Sequence, residues 1–384
     1  MQMGDMLATH EARLLATAGI VLIMACADSP TGDVSDARRL SAEFTEEFQI
    51  GDDPSERQFV RISSMAFAPD GHLVVVDRDD FAVVVLDRDG REALAWGGEG
   101  EGPGEFETEP NHLAVSDEGN VAVSSFRRVD VFTPDGAPVG QHLLDDLSVD
   151  EVAFDQNGDV VAGVTSGGGL FSREESHTHL MRLRDRDTLW SFAPIPPQPN
   201  LAFFLAGTLI ARLDDARVAT AMDDRYEIDI RDGSTGRVVG RVTRNTLPRT
   251  VTEELKTGTR EAMIGVAGDN SSTAEVYESM VFGESLPVFA GIFLGPPNGA
   301  VWVRRGIGVG DELAPPVGNV VGEWSLQLYD IFDCDTYEYI GTVEAPEGLS
   351  LMAGDSDSER VAGVHRDPLG VHSVRVLRVG VEGR

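Results

Sequence analysis

One unit recurs six times along this chain, and a repeat restricts the possible folds more than composition does. The unit is a short apolar strand, a tight turn carrying Asp or Asn with Gly, and a second apolar strand. It is clearest at residues 65–77 around Asp70 and Gly71, at 113–123 around Glu118 and Gly119, and at 152–162 around Asn157 and Gly158. Looser copies follow around Asp215 and Ala216, around Asn298 and Gly299, and around Asp355, Asp357 and Glu359. Each hairpin is followed by an alternating third strand, expected at 83–86, 129–132, 180–183, 226–230, 326–329 and 374–377. Turns such as Asp89-Gly90 and Asp135-Gly136 then lead into a fourth, expected at 92–96, 138–143, 237–242 and 337–343. Four strands per unit make a propeller blade.

The sixth unit has no fourth strand, whereas residues 39–50 form a strand-like segment ahead of unit one with nothing to pair with. Each gap fits the other: an N-terminal strand that completes the last blade closes the ring and satisfies backbone groups otherwise left on open edges. The expected fold is therefore all-β, a six-bladed β-propeller of four-stranded blades spanning 37–384. A two-sheet sandwich predicts no sixfold repeat with one strand displaced to the other terminus. The repeat is interrupted between units four and five, at about 246–287, where 251–256 and 274–281 have helical patterns. Insertions in repeat folds collect on one face, often the binding face. This one either covers the mouth of the central channel or merely elaborates the packing.

The first 25 residues read differently. After Arg13, residues 14–25 are unbroken apolar or small, too few for a bilayer span, which needs about 20. They fit the core of a signal peptide, with Met1 or Met6 as its start. The run ends in Ile23-Met24-Ala25-Cys26, which resembles the lipobox of bacterial lipoproteins. That resemblance implies lipid attachment at Cys26, residues 26–36 as a flexible tether, and export with anchoring in a bilayer of the bacterial cell envelope. Removal of the leader leaves Cys334 as the single thiol, so no internal disulfide forms. Cys334 lies in a strand-like acidic stretch and reads as packing rather than as a nucleophile.

The chain has 65 acidic against 31 basic residues, a net charge of −34, and its only lysine is Lys256. Such a charge repels nucleic acid, which is not an expected partner. Between units one and two, Trp96-Gly97-Gly98 and Gly102-Pro103-Gly104-Glu105-Phe106 resemble the inter-blade segment of NHL-repeat propellers. The resemblance implies a six-bladed propeller lipoprotein in which Phe106 wedges between neighbouring sheets.

No phosphate-binding loop, nucleophile elbow or zinc-spaced Cys/His cluster is present in the sequence. His177 and His179 put two imidazoles on one strand face, but a third ligand cannot be named. Asp77 to Asp80, and Asp355 with Asp357, match a calcium loop only loosely. The repeat itself yields one geometric set. The sixth residue after each turn glycine or its equivalent falls at one rim: Asp77, Ser125, Val164, Met222, Arg305 and His365, with the polar members expected to face the channel. Two functions stay open. One is a non-enzymatic module binding a protein, peptide or glycan, with no cofactor. The other is a metal-dependent enzyme, lactonase-like or lyase-like and using calcium, with its site in the channel.

Overall fold

The computed structural model describes residues 38–167, 174–197, 200–204, 206–214, 216–267, 271–306, 325–355, 357–367 and 370–382. The signal segment, Cys26 and the tether lie outside the described residues. After β1 (Ser41–Ile50), blade 1 comprises β2 (Ile62–Phe67), β3 (Leu73–Asp77), β4 (Ala82–Leu86) and β5 (Glu92–Gly97). Blade 2 follows as β6 (His112–Val115), β7 (Val121–Ser125), β8 (Arg128–Phe132) and β9 (Pro138–Leu143), and blade 3 as β10 (Ser148–Phe154), β11 (Val160–Ser166), β12 (His177–Arg182) and β13 (Asp187–Ser191). A short β14 (Ala202–Phe203) precedes blade 4, which holds β15 (Thr208–Arg212), β16 (Arg217–Met222), β17 (Glu227–Asp232) and β18 (Val238–Thr243). The insertion contributes α1 (Glu253–Ala267), α2 (Ser271–Glu278) and β19 (Val281–Phe282). Blade 5 is β20 (Phe289–Gly295), β21 (Ala300–Gly306), β22 (Ser325–Phe332) and β23 (Tyr339–Glu344). Blade 6 takes β24 (Leu349–Asp355), β25 (Arg360–Arg366) and β26 (His372–Glu382), and β1 pairs antiparallel with β26 as its outer strand.

The innermost strands β2, β6, β10, β15, β20 and β24 pack on one another in cyclic order, and β24 returns to β2. This closes the ring. Every residue of β3 and β4 is buried, because these middle strands are covered on both faces by neighbouring blades. Phe106 is fully buried between Val74, Val76 and Val85 of blade 1 and Leu113, Val121 and Phe132 of blade 2, the expected wedge.

The turns bear out five of the six aligned positions, Ala216 not being among the residues with positive φ. Gly71, Gly119, Gly158 and Gly299 all have positive φ, and so does Glu359 at 56°, the residue equated with them in unit six. Hairpin turns of both kinds, between first and second and between third and fourth strands, are closed by Asx contacts. Asp87 accepts from the amides of Asp89 and Arg91, Asp155 from Asn157 and Asp159, and Asp232 from Ser234 and Thr235. Many of the acidic residues are thus spent on turn chemistry. Those amides hold the Asp87 carboxyl below its usual range.

Three details differ from the sequence reading. Blade 3 has a fourth strand, β13, that no turn glycine announces; its turn is made instead by Arg186 at φ 56°. Helix α1 is longer than the helical pattern at 251–256: it starts at Glu253 and runs through Gly258 and Gly265 to Ala267, and added Cβ atoms would meet nothing at either glycine. The innermost strands carry bulges at Ser63, Asp150 and Ala290, at one common level of blades 1, 3 and 5.

Candidate functional site

The two faces of the ring differ. On one, hairpin turns join first to second and third to fourth strands, and they are short and rich in aspartate. On the other, the second-to-third loops and the connections between blades emerge. The second face, here the connection face, carries the insertion. It also carries Val60, Phe126, Leu247 and Val371, four of the exposed large apolar residues. An antiparallel bridge between Phe59 and His372 sets Val60 beside Val371. Val139, Leu143, Val238 and Val239, also exposed, lie on outer strands, and none of the exposed large apolar residues lies in a hairpin turn.

The insertion is built from two connections, not one. β14, in the long link between blades 3 and 4, pairs in parallel with β19 at the end of the insertion. Leu201, Phe203 and Phe204 from that link pack with Leu255, Met263, Tyr277, Met280 and Phe282, a core that contains no blade residue. The wide spacing between Gly158 and Ala216 was the sequence signal for this second contribution.

At the root of the insertion, Arg244 donates to Asp330 Oδ2 at 2.7 Å, and Tyr226 donates to the same oxygen at 2.8 Å. Thr342 donates to Asp330 Oδ1 at 2.5 Å, the Arg305 Nε lies 3.9 Å from Oδ2, and the Arg244 guanidinium stacks over Tyr339 at 4.2 Å. Asp330 is wholly buried. Burial beside this carboxylate pushes the Tyr226 hydroxyl well above its ordinary pKa.

The six residues of the rim set all stand at the connection-face end of a second strand, one strand removed from the channel. Opposite Asp77, Val164, Met222, Arg305 and His365 in the ladders lie Ile62, Val149, Thr208, Phe289 and Leu349 of the innermost strands. Asp77 is fully buried, and its carboxylate accepts from the amides of Val60 and Arg61; burial raises its pKa. Ser125 and Val164 are buried, and Arg305 is turned to Asp330. The His365 ring lies against Gly348, its pKa lowered by burial and by Arg375. Asp77, Arg305 and His365 therefore do not form one cluster.

On the innermost strands themselves, His112 Nδ1 lies 3.7 Å from Glu151 Oε2 across blades 2 and 3. Burial works against its charge, but Glu151 outweighs this and leaves the imidazole pKa raised. The His177 and His179 rings stack with centroids 6.4 Å apart. Among the described residues, no three side chains of metal-ligating type come together. Cys334 lies not in a strand, as its sequence neighbours suggested, but in the turn after β22, where it is partly buried and burial and Asp335 raise its thiol pKa. No helix among the described residues is long and apolar enough to cross a membrane.

A cavity of about 520 Å³ opens between blades 3 and 4. Blade 3 lines it with Trp190 and Phe192, the link into blade 4 with residues 193–196, and blade 4 with Thr220, Ala221, Met222, Arg225, Glu227 and Asp229. Of the rim set, Met222 alone lines it. Its size falls in the range of small-molecule sites. Sequence reasoning missed the cavity because its walls come from an unannounced strand and an irregular link.

Asp223 follows Met222. Its carboxylate accepts from Gly207 at 2.7 Å, and burial raises its pKa to about 6. Its carbonyl accepts from Val288, so this one residue ties together the link into blade 4 and the end of the insertion. An acid whose folded pKa exceeds its unfolded value costs nothing while protonated in both states. The cost grows as pH rises from about 4 to about 6 and is complete above that. Asp223→Asn keeps the acceptor for Gly207 and removes the charge. It is expected to stabilise the protein by roughly 1–3 kcal/mol at pH 7.5 and by little at pH 4. Urea unfolding at both pH values measures this; an equal effect at both would remove the titration as its cause.

No family model matches the chain, and no curated protein matches its sequence. Solved structures do resemble it. A candidate exported protein of Bacteroides fragilis shares 11% identity over 92% of this chain and 98% of its own, with a TM-score of 0.52. The Cps50 (Swd1) β-propeller domain of Myceliophteria thermophila shares 9% identity over 88% of this chain and 100% of its own, at a TM-score of 0.46. At such identities the likeness concerns the fold alone. The ring of six four-stranded sheets establishes the chain as a six-bladed β-propeller.

Proposed function

We propose that this chain is an exported, lipid-anchored binding module that engages its partner, a protein, peptide or glycan, through the connection face. The observation that carries this reading is the asymmetry of the ring. The insertion, the cavity and the loop-borne apolar residues Val60, Phe126, Leu247 and Val371 share one face. Exposed apolar groups gathered in this way mark interaction surfaces, and binding residues on loops held by a rigid scaffold are the common arrangement.

Chain direction sets which face such an anchor would leave free. Ser41 pairs with Glu382 at the turn face and Ile50 with Val374 at the other, so β1 enters its blade from the turn face. A tether from an acylated Cys26 then leaves the connection face pointing away from the bilayer. The Bacteroides fragilis structure, that of a candidate exported protein, is consistent with a role outside the cytoplasm. The metal-dependent alternative needs acidic or His ligands converging on the channel. His112 and Glu151 are the nearest approach to that arrangement.

A photo-crosslinking amino acid placed in producing cells tests the reading. Positions Phe126 and Leu247 on the connection face are expected to give discrete adducts, and Asp89 and Glu118 in hairpin turns none. Equal adducts from both faces, or adducts from the turns alone, would sink it.

A further inference from the structure

We propose that the cavity between blades 3 and 4 binds an uncharged sugar unit of a glycan. The inference rests on the binding-module reading and names the ligand class of one site on the connection face. The aromatic wall is held in place before any ligand arrives. The Arg231 guanidinium lies 3.8 Å over one face of Trp190, and Phe192 meets the indole edge-on with centroids 4.3 Å apart. Arg231 is itself fixed three ways: Nε donates to Thr220, Nη1 to the Gly236 carbonyl and Nη2 to Asp229. The indole thus rests on a fixed guanidinium and would forfeit that stacking contact and the Phe192 contact by swinging away, and a held aromatic surface binds with little loss of conformational entropy.

The charges around the cavity are already matched. Asp229 pairs with Arg231 at 2.9 Å and Arg241 at 2.7 Å, Glu227 pairs with Arg241 at 2.9 Å, and Arg225 faces Asp224 at 3.5 Å. A charged ligand would find no opposite charge in surplus and would have to displace one of these pairs. Hydrogen-bonding capacity, however, remains. Asp229 Oδ2 holds only the Arg231 Nη2 and keeps a lone pair, whereas Oδ1 is taken up by the Nε and Nη2 of Arg241. The buried Thr220 hydroxyl accepts from Arg231, and its own proton has no acceptor among the described residues. Arg225 is exposed.

A wholly apolar ligand would strand these groups. A sugar presents an apolar C–H face to an aromatic wall and hydroxyls, each both donor and acceptor, to groups of this kind. The cavity volume suits one or two such units.

Tryptophan fluorescence of the full chain reports on the site. Of four tryptophans, Trp190 lines the cavity, while Trp302 is fully buried and Trp96 packs on Phe132. The probes are the hexasaccharides of maltose, cellulose, xylan and chitin type, with hexagalacturonate as the charged comparison and a proline-rich peptide as the competing class. At least one neutral hexasaccharide is expected to change the emission saturably at millimolar concentration or below. Arg225→Ala and Asp229→Asn, checked by unaltered far-ultraviolet circular dichroism, are each expected to weaken binding about tenfold.

Three results overturn the proposal: no saturable response to any neutral sugar, a response to the peptide or hexagalacturonate alone, or neutral-sugar binding unchanged in both variants. The binding-module reading is decided separately, by the crosslinks, and survives any of the three if Phe126 and Leu247 still give adducts.

Discussion

Replacing Asp330 by alanine is expected to cost about 3–5 kcal/mol in urea unfolding, among the largest effects a single side chain can have here. The carboxylate is wholly buried and accepts from Tyr226, Arg244 and Thr342, with Arg305 close by. Without it, the largely buried Arg244 guanidinium loses its hydrogen-bonded counter-charge and the Tyr226 hydroxyl loses its acceptor. Uncompensated buried charge is the expensive outcome, because desolvation has already been suffered and the attraction that offset it is gone. Asp330→Asn keeps acceptor geometry and should fall between wild type and alanine. Tyr226→Phe removes one neutral donor and should cost only about 1 kcal/mol. The ordering of the three separates a charge effect from a packing effect; if alanine and asparagine proved equal to Tyr226→Phe, the carboxylate would not be holding blades 4 and 5 together.

What the sequence made legible, and what it did not, divides along the range of the interactions. The hairpin of each blade is local chemistry, so Gly71, Gly119 and Gly158 declared themselves, and the same alignment led to Glu359, whose φ of 56° shows a non-glycine residue held in the glycine conformation. The displaced strand was legible as well, because a missing fourth strand and a spare first one are a countable mismatch. The Asp330 cluster was not. Asp330 sits in an ordinary strand between Tyr329 and Ile331, and its partners Tyr226 and Arg244 are 104 and 86 positions away. The rim set shows the same limit. Equal spacing from a turn places six residues at one level of the ring, but it does not say that Asp77 caps two amides or that Arg305 turns to Asp330. The cavity needed both failures to be repaired at once. Its lining comes from a strand whose turn residue is Arg186 and from a link with no periodicity.

The ring is closed by one strand, and its removal is the severest test of the fold. A chain beginning at Gly51 lacks β1, which pairs with β26 from Ser41 opposite Glu382 to Ile50 opposite Val374. β1 also supplies apolar side chains to two cores: Ile50 and Phe48 to the one shared by blades 6 and 1, and Ala42 and Phe44 to the one shared by blades 5 and 6. Ile50 alone, almost fully buried, is worth about 1.5–3 kcal/mol in transfer free energy. With the ladder and the other side chains, the loss reaches the whole stability of an ordinary domain, about 5–15 kcal/mol. The shortened chain is therefore expected to lose its cooperative thermal transition and to associate through the exposed edge of β26. A synthetic peptide of residues 38–51 added in trans is expected to restore the transition in a concentration-dependent way, since only the folded ring binds it. A shortened chain that melts cooperatively near the wild-type temperature without the peptide would mean that the other strands hold the ring unaided. The N-terminal strand would then be an ornament of blade 6, not its closure.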